Sequence, residues 1–188
     1  KPVLMRVLER VKTIPDVKVI LAAPDTDASE PMLELADKMG VDNFCGSELN
    51  VLNRFFGAAR FFKFEYIVRV TADCPFIDPR ICKECIDLLL FRKLDYCSNI
   101  FPTRTYPQGL DCEVFTFDCL DAAKQMAAGP YDLEHVTPWM QRTEGLRRAV
   151  VEQKIDMSSQ NWCVDYPEDI ERLEKLAQQG TIKDEQPA

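Results

Sequence analysis

The stretch Tyr66-Ile67-Val68-Arg69-Val70-Thr71-Ala72-Asp73-Cys74-Pro75-Phe76-Ile77-Asp78-Pro79 sets the fold class. Its first six residues are mostly β-branched or aromatic and read as a strand. Pro75 cannot continue a regular ladder, so Asp73 is left at the strand's carboxyl end. Asp78 and Pro79 then pair as N-cap and first residue of a helix that carries Ile81, Cys85, Leu88 and Leu89 at helical spacing and ends near Lys93. A strand that feeds a helix through a short turn is the repeating unit of an α/β fold. In open α/β sheets ligands bind outside the carboxyl ends of the strands, so the same stretch says where the chemistry sits.

The same alternation extends in both directions. Upstream, Val3, Leu4, Val7, Leu8 and Val11 recur at helical spacing, and Val17 to Ala23 reads as a buried strand. A helix follows from Ser29 to Met39, with Pro31 in its first turn and Gly40 just past its end. After an extended piece near Phe44, Ser47 is expected to cap a helix that turns Val51, Leu52, Phe55, Phe56 and Ala59 inward. Downstream, Tyr96 to Ile100, Glu113 to Phe117, Ala149 to Glu152 and Trp162 to Asp165 read as strands. Helices are expected from Asp118 to Ala128 and from Tyr131 to Arg142, the latter ended or bent by Pro138. Pro167 opens a last amphipathic helix with Ile170, Leu173 and Leu176 on one face, and residues 180–188 read as a polar tail. Strands alternating with helices predict a largely parallel sheet covered on both faces.

The chain has 188 residues, one domain's worth. With 23 basic against 31 acidic residues its net charge is −8, which argues against a nucleic-acid partner held by phosphate neutralisation. No apolar run approaches the roughly 20 residues that span a bilayer, so no membrane partner is expected, and a cytoplasmic location is. Neither G-x-G-x-x-G nor G-x-x-x-x-G-K is present. Eight cysteines lie mostly within apolar runs and are read as reduced core residues. Cys82 and Cys85 form a C-x-x-C without a second pair at metal spacing, and zinc or redox chemistry is the alternative there.

Asp73 and Asp165 both follow strands and precede a proline. Carboxylates so placed on adjacent strand ends can share a Mg²⁺ ion with substrate phosphates; taken singly, each reads as a turn or helix cap. The segment Arg104-Thr105-Tyr106-Pro107-Gln108-Gly109-Leu110-Asp111-Cys112-Glu113 is a loop that offers a guanidinium, a phenol and two carboxylates to a polyhydroxylated or anionic ligand, or else a solvated surface. His135 reads as an anion ligand or base, or as a hydrogen-bonded structural histidine.

Five ordered motifs resemble those of the spore-coat polysaccharide biosynthesis cytidylyltransferases. They are Gly46-Ser47-Glu48 with Val51-Leu52-Asn53-Arg54-Phe55, then Val68 through Pro79, Arg104-Thr105-Tyr106-Pro107 with Gly109-Leu110-Asp111, Glu134-His135-Val136-Thr137-Pro138, and Val164-Asp165-Tyr166-Pro167-Glu168-Asp169. That family is related to the acylneuraminate and CMP-Kdo synthetases. The resemblance implies a three-layer, Rossmann-like, glycosyltransferase-A-like nucleotidyltransferase fold with a mixed, mostly parallel sheet, as a single domain over residues 1–179.

It also implies a reaction: the hydroxyl of an acidic or phosphorylated sugar attacks the α-phosphorus of CTP, and pyrophosphate leaves. Asp73 and Asp165 would hold Mg²⁺. Lys1, Ser47, Glu48 and Arg54 would lie near the nucleotide, and Arg104, Tyr106, Asp111, Glu113 and His135 on the sugar side. Members begin with a strand and a loop of the form A-R-x-x-S-x-R-L-P-x-K, so Lys1 is expected to be that loop's last lysine and the domain to be N-terminally incomplete, without its first strand. Asn50 and Asn53 stand where relatives carry Asp. A non-catalytic nucleotide- or sugar-binding homologue and a glycosyltransferase that uses a nucleotide sugar are the alternatives. The oligomeric state is left open, homodimers being common among related enzymes.

Overall fold

The computed structural model describes residues 1–180 and 182. In chain order the elements are α1 (Val3–Val11), β1 (Ile20–Pro24), α2 (Glu30–Lys38), β2 (Asp42–Gly46), α3 (Val51–Phe62), β3 (Tyr66–Arg69), α4 (Pro79–Arg92) and β4 (Tyr96–Ser98). They continue with β5 (Glu113–Thr116), α5 (Phe117–Met126), α6 (Pro130–His135), α7 (Pro138–Arg142), β6 (Arg148–Val150) and α8 (Pro167–Gln178).

Period-2 alternation builds the layers. In the sheet β3-β5-β4-β6, Ile67, Phe115 and Tyr96 share one face, where they meet Leu52 and Ala59 of α3, Leu120 of α5 and Met140 of α7. Val68, Val114 and Cys97 share the other, against Val7 and Val11 of α1 and Cys82, Cys85 and Leu89 of α4. Each fully buried aliphatic or aromatic side chain contributes about 1.5–3 kcal/mol, so these two faces hold helices on both sides without any disulfide. Seven of the eight cysteines are buried and Cys45 is exposed, in keeping with the core reading.

The sheet is mixed. β4 and β6 pair in parallel, and β5 runs antiparallel to both β3 and β4, so β5 alone is reversed within this sheet. The reversal follows from the connection: residues 99–112 contain no helix, and a parallel return needs a crossover, usually helical. β1 and β2 form a separate parallel pair. Among the described residues β1 bonds only to β2 and β3 only to β5, so each keeps an open edge. Both edges line a cleft between the sheets whose two lobes measure about 410 and 470 Å³.

Several expectations need correction. The first strand starts at Ile20 rather than Val17. Asn50, not Ser47, caps α3: its Oδ1 accepts from Asn53 N at 2.8 Å, while Ser47 Oγ accepts from Asn50 N at 3.0 Å. The helix expected over 131–142 is broken at Val136, whose φ of 71° and ψ of −53° form a γ-turn closed by Thr137 N donating to His135 O at 2.8 Å. Trp162 to Asp165 does not form a strand; only Asn161 bridges, to Gln108, because Cys163 N is taken by the Asn161 side chain at 2.8 Å. Within the expected polar tail, Ile182 is buried against Leu173 of α8 and its cluster, while residues 181 and 183–188 lie outside the described residues. Among the described residues no helix is long and apolar enough to cross a membrane.

Candidate active site

Asp73 leaves the sheet just past β3, and Asp165 sits just before α8. One backbone bond joins their segments: Val164 N donates to Asp73 O at 2.9 Å. The Asp165 side of this junction is held from α8. Asp169 Oδ2 accepts from both Asp165 N and Tyr166 N at 3.0 Å, and Arg172 bonds Asp169 Oδ1, Cys163 O and Asn161 O. The Arg172 hydrogen bond is also the first cause holding the Asp169 carboxyl below its ordinary range. From the other side, Gly109 (φ 100°) lies flat on this segment. A Cβ there would fall 2.7 Å from the Trp162 carbonyl carbon, so only glycine admits the approach.

Neither carboxylate enters an ion pair among the described residues. Asp73 Oδ1 receives a long contact from Cys74 Sγ at 3.4 Å, and Asp165 is exposed. Two hard-oxygen donors left unpaired at a junction of strand-end and helix-start loops suit the few carboxylates that Mg²⁺ takes.

Two hollows flank this junction. Lys1 and Arg6 meet Pro75, Val164 and Glu174 around a cavity of about 420 Å³; Lys1 Nζ itself reaches Glu9 at 2.9 Å. On the other flank, the larger lobe of the cleft is lined by Pro24, Arg54, Arg69, Thr71, Ala72 and His135, among others. Arg54 arches over the β2–α3 loop, where its NH1 donates to Ser47 O at 2.8 Å. Burial pulls the Arg54 guanidinium down from its ordinary value, opposed by the nearby charge of Glu48. The Nε atoms of Arg54 and Arg69 are both buried and lack a hydrogen-bond partner among the described residues. Buried N–H groups left unmatched are costly, and both belong to arginines that line the larger lobe of the cleft.

Arg54 and His135 thus line one lobe of the cleft, Ser47 and Glu48 lie beside Arg54, and Lys1 shares the other hollow with Val164, next to Asp165. The remaining four expected residues are placed differently. Arg104 and Asp111 form a bidentate pair at 2.6 and 2.8 Å. Tyr106 is buried among Phe76, Ile81, Leu110 and Trp162. Glu113 is 1% exposed, and its carboxylate accepts from Arg69 NH1 at 2.7 Å, Tyr96 OH at 2.6 Å and Gln141 Nε2 at 3.2 Å. A saturated, enclosed carboxylate presents nothing to a ligand; its place is under Arg69, which it holds.

Two contributors went unread in the sequence. Arg69 is visible there as an arginine in the middle of an apolar strand, and the cross-strand pair Arg69–Glu113 explains why it is tolerated. Arg172 reads in isolation as an ordinary surface charge on an amphipathic helix.

The chain matches the cytidylyltransferase family over residues 1–186. It is 35% identical over 144 residues to an uncharacterised protein of Methanocaldococcus jannaschii, covering 77% of this chain and 57% of that one. The spore coat polysaccharide biosynthesis protein SpsF of Bacillus subtilis is 27% identical over 166 residues, 86% of this chain and 68% of that one. This chain therefore spans little more than half to two thirds of these relatives' length. The structure of a cytidylyltransferase from Leptospira borgpetersenii superposes with a TM-score of 0.86 at 26% identity, covering 99% of this chain and 87% of that chain. With a family match from the first residue to the end of the described fold, this chain belongs to the cytidylyltransferase family.

Proposed function

We propose that the protein transfers CMP from CTP to an acidic or phosphorylated sugar, on a route to a surface polysaccharide. The observation that carries this reading is the junction itself: two carboxylates without an ion pair among the described residues, on segments tied by the Val164–Asp73 backbone bond and flanked by hollows lined with cationic side chains. The family match supports the nucleotide, and the name of the Bacillus relative supports the sugar-polymer context.

In the reaction a sugar hydroxyl oxygen forms a bond to the α-phosphorus of CTP, the α–β bridging bond breaks, pyrophosphate leaves and the hydroxyl proton passes to water. No protein nucleophile is needed, since positioning and charge stabilisation supply the rate. Asp73 and Asp165 would hold a Mg²⁺ ion, whose chemistry is to neutralise phosphate charge. Arg54, whose side chain lines the cleft, binds phosphate oxygens, and Ser47 and Glu48 border the nucleotide. His135, held at the cleft by the γ-turn at Val136, faces the sugar.

The test is pyrophosphate release from CTP by the intact protein across a panel of acidic and phosphorylated sugars. Asp73→Ala and Asp165→Ala are expected to lower turnover by about a hundred- to a thousandfold with the far-ultraviolet dichroism unchanged, the scale of losing a group that stabilises transition-state charge. CTP binding without turnover on any sugar, or full turnover in either variant, overturns the reading.

A further inference from the structure

Beside the oxygen-rich side of the junction lies a sulfur-rich one. Asp73, Cys74 and Cys163 bring one ligand atom each to within 4.8 Å of one another. Cys74 Sγ lies 3.9 Å from Cys163 Sγ and 3.4 Å from Asp73 Oδ1, and Thr71 Oγ1 approaches Cys74 Sγ at 3.2 Å from the flank. Both thiols are buried, and Asp73 is half-buried.

These separations can be compared with what a metal would impose. For Zn–S bonds of about 2.3 Å and a Zn–O bond of about 2.0 Å, tetrahedral angles place the two sulfurs about 3.8 Å apart and sulfur from oxygen about 3.5 Å. The observed 3.9 and 3.4 Å lie within about a tenth of an ångström of both. Three protein ligands with one position left over is the pattern of an open rather than a closed zinc site. Two thiolates make the set soft, unlike the pair Asp73 and Asp165, which offers oxygen alone.

We propose that Asp73, Cys74 and Cys163 form a binding site for a soft divalent ion such as Zn²⁺, with a fourth position open. The site stands on this geometry and not on the reaction proposed above. The two are linked only through Asp73: an ion bound to the thiols draws on the carboxylate that the nucleotide chemistry would use. Thr71 Oγ1 and the Val164 N–H that bonds Asp73 O keep the loops in register around it.

Co²⁺ is the probe, because a thiolate–cobalt bond absorbs strongly by charge transfer whether or not the protein turns over substrate. The intact protein, reduced and held without oxygen, is titrated with Co²⁺ and then with Zn²⁺. One Co²⁺ per chain with thiolate charge transfer, displaced by one Zn²⁺, is expected. Cys45→Ser removes the exposed thiol and should leave the signal unchanged. The double variant Cys74→Ser/Cys163→Ser should abolish it. Should that variant fail to fold by dichroism, Asp73→Asn keeps both thiols, and affinity should fall by about tenfold or more, at least what loss of an outer-shell partner costs. No charge transfer with all thiols titratable as reduced, or a signal that survives the double variant and so belongs to Cys82, Cys85, Cys97 or Cys112, overturns the site. So does unchanged affinity in Asp73→Asn. Recovery of a Cys74–Cys163 disulfide in place of metal from protein kept reduced does the same.

Discussion

The four-stranded sheet and the loops above it handle charge in opposite ways. Inside the sheet, Glu113 is enclosed and meets a donor from Arg69, Tyr96 and Gln141, so its charge is matched at every side. Among the described residues, Asp165 at the junction is exposed without an ion pair, and Arg54 and Arg69 each leave a buried Nε unmatched beside the cleft. Burying an unmatched polar group costs about 1–3 kcal/mol, so such a group calls for a compensating partner. Saturation marks the charges that build the scaffold; deficiency marks those that meet a substrate. Both sets occur within the same quoted motifs, so residue type alone does not separate them.

The hardest blow to this contrast would fall on Glu113. Glu113→Ala leaves Arg69 with a buried, uncompensated charge and Tyr96 without its acceptor, and breaking a buried pair in this way costs about 3–5 kcal/mol. Urea unfolding of the variant should show the loss as a lower midpoint at an unchanged m-value. Full stability with reduced activity would move Glu113 out of the scaffold and into the site, and the contrast would fail.

Arg54 sharpens the other side. Arg54→Ala removes one guanidinium that bonds Ser47 O and, in the proposed complex, phosphate oxygens. Hydrogen bonds to charged groups contribute about 1.5–3 kcal/mol, so CTP affinity measured by calorimetry should fall by about ten- to a hundredfold. Stability should change little, because deleting the side chain also removes its unmatched Nε. A stability loss comparable to that of Glu113→Ala, with CTP affinity intact, would place Arg54 with the scaffold.

The fold was legible wherever a local rule acted alone. Asp78 and Pro79 open α4 as read, its cap Asp78 Oδ1 accepting from Arg80 N at 2.8 Å, and Pro167 opens α8. Misreadings came where a distant partner decided. Val136 takes a positive φ that a β-branched residue disfavours, and it does so fully buried among Leu52, Leu120 and Met140. Trp162 to Cys163 has the composition of a strand, yet the Asn161 side chain takes the Cys163 N–H and Arg172 of α8 its carbonyl before a ladder forms. The places of Asp73, past the end of β3, and of Asp165, before α8, were legible because a proline follows each strand-like run. That Glu113 is enclosed and Arg69 is not fully matched depends on cross-strand register, which no local pattern carries.

The smallest expected effect concerns a charge pair at the sheet's far margin. Asp95 accepts from Arg147 Nε at 3.1 Å, from Arg147 NH2 at 2.7 Å and from Arg147 N at 2.8 Å, tying the turn before β4 to the approach to β6. The Arg147 hydrogen bonds hold the Asp95 carboxyl below its ordinary value against the opposing cost of burial. A carboxyl whose pKa is lower folded than unfolded contributes stability above its unfolded value, and that contribution disappears as pH falls through the lowered folded value. Asp95→Asn should therefore melt slightly earlier than the parent at pH 7, and the two melting curves should converge as the pH is taken below the carboxylate range. Arg147 is largely exposed, so salt should shrink the pH 7 difference as well. A gap that persisted in acid would mean that the backbone bond from Arg147 N, and not charge, holds this margin of the sheet, and that saturation there is a matter of geometry alone.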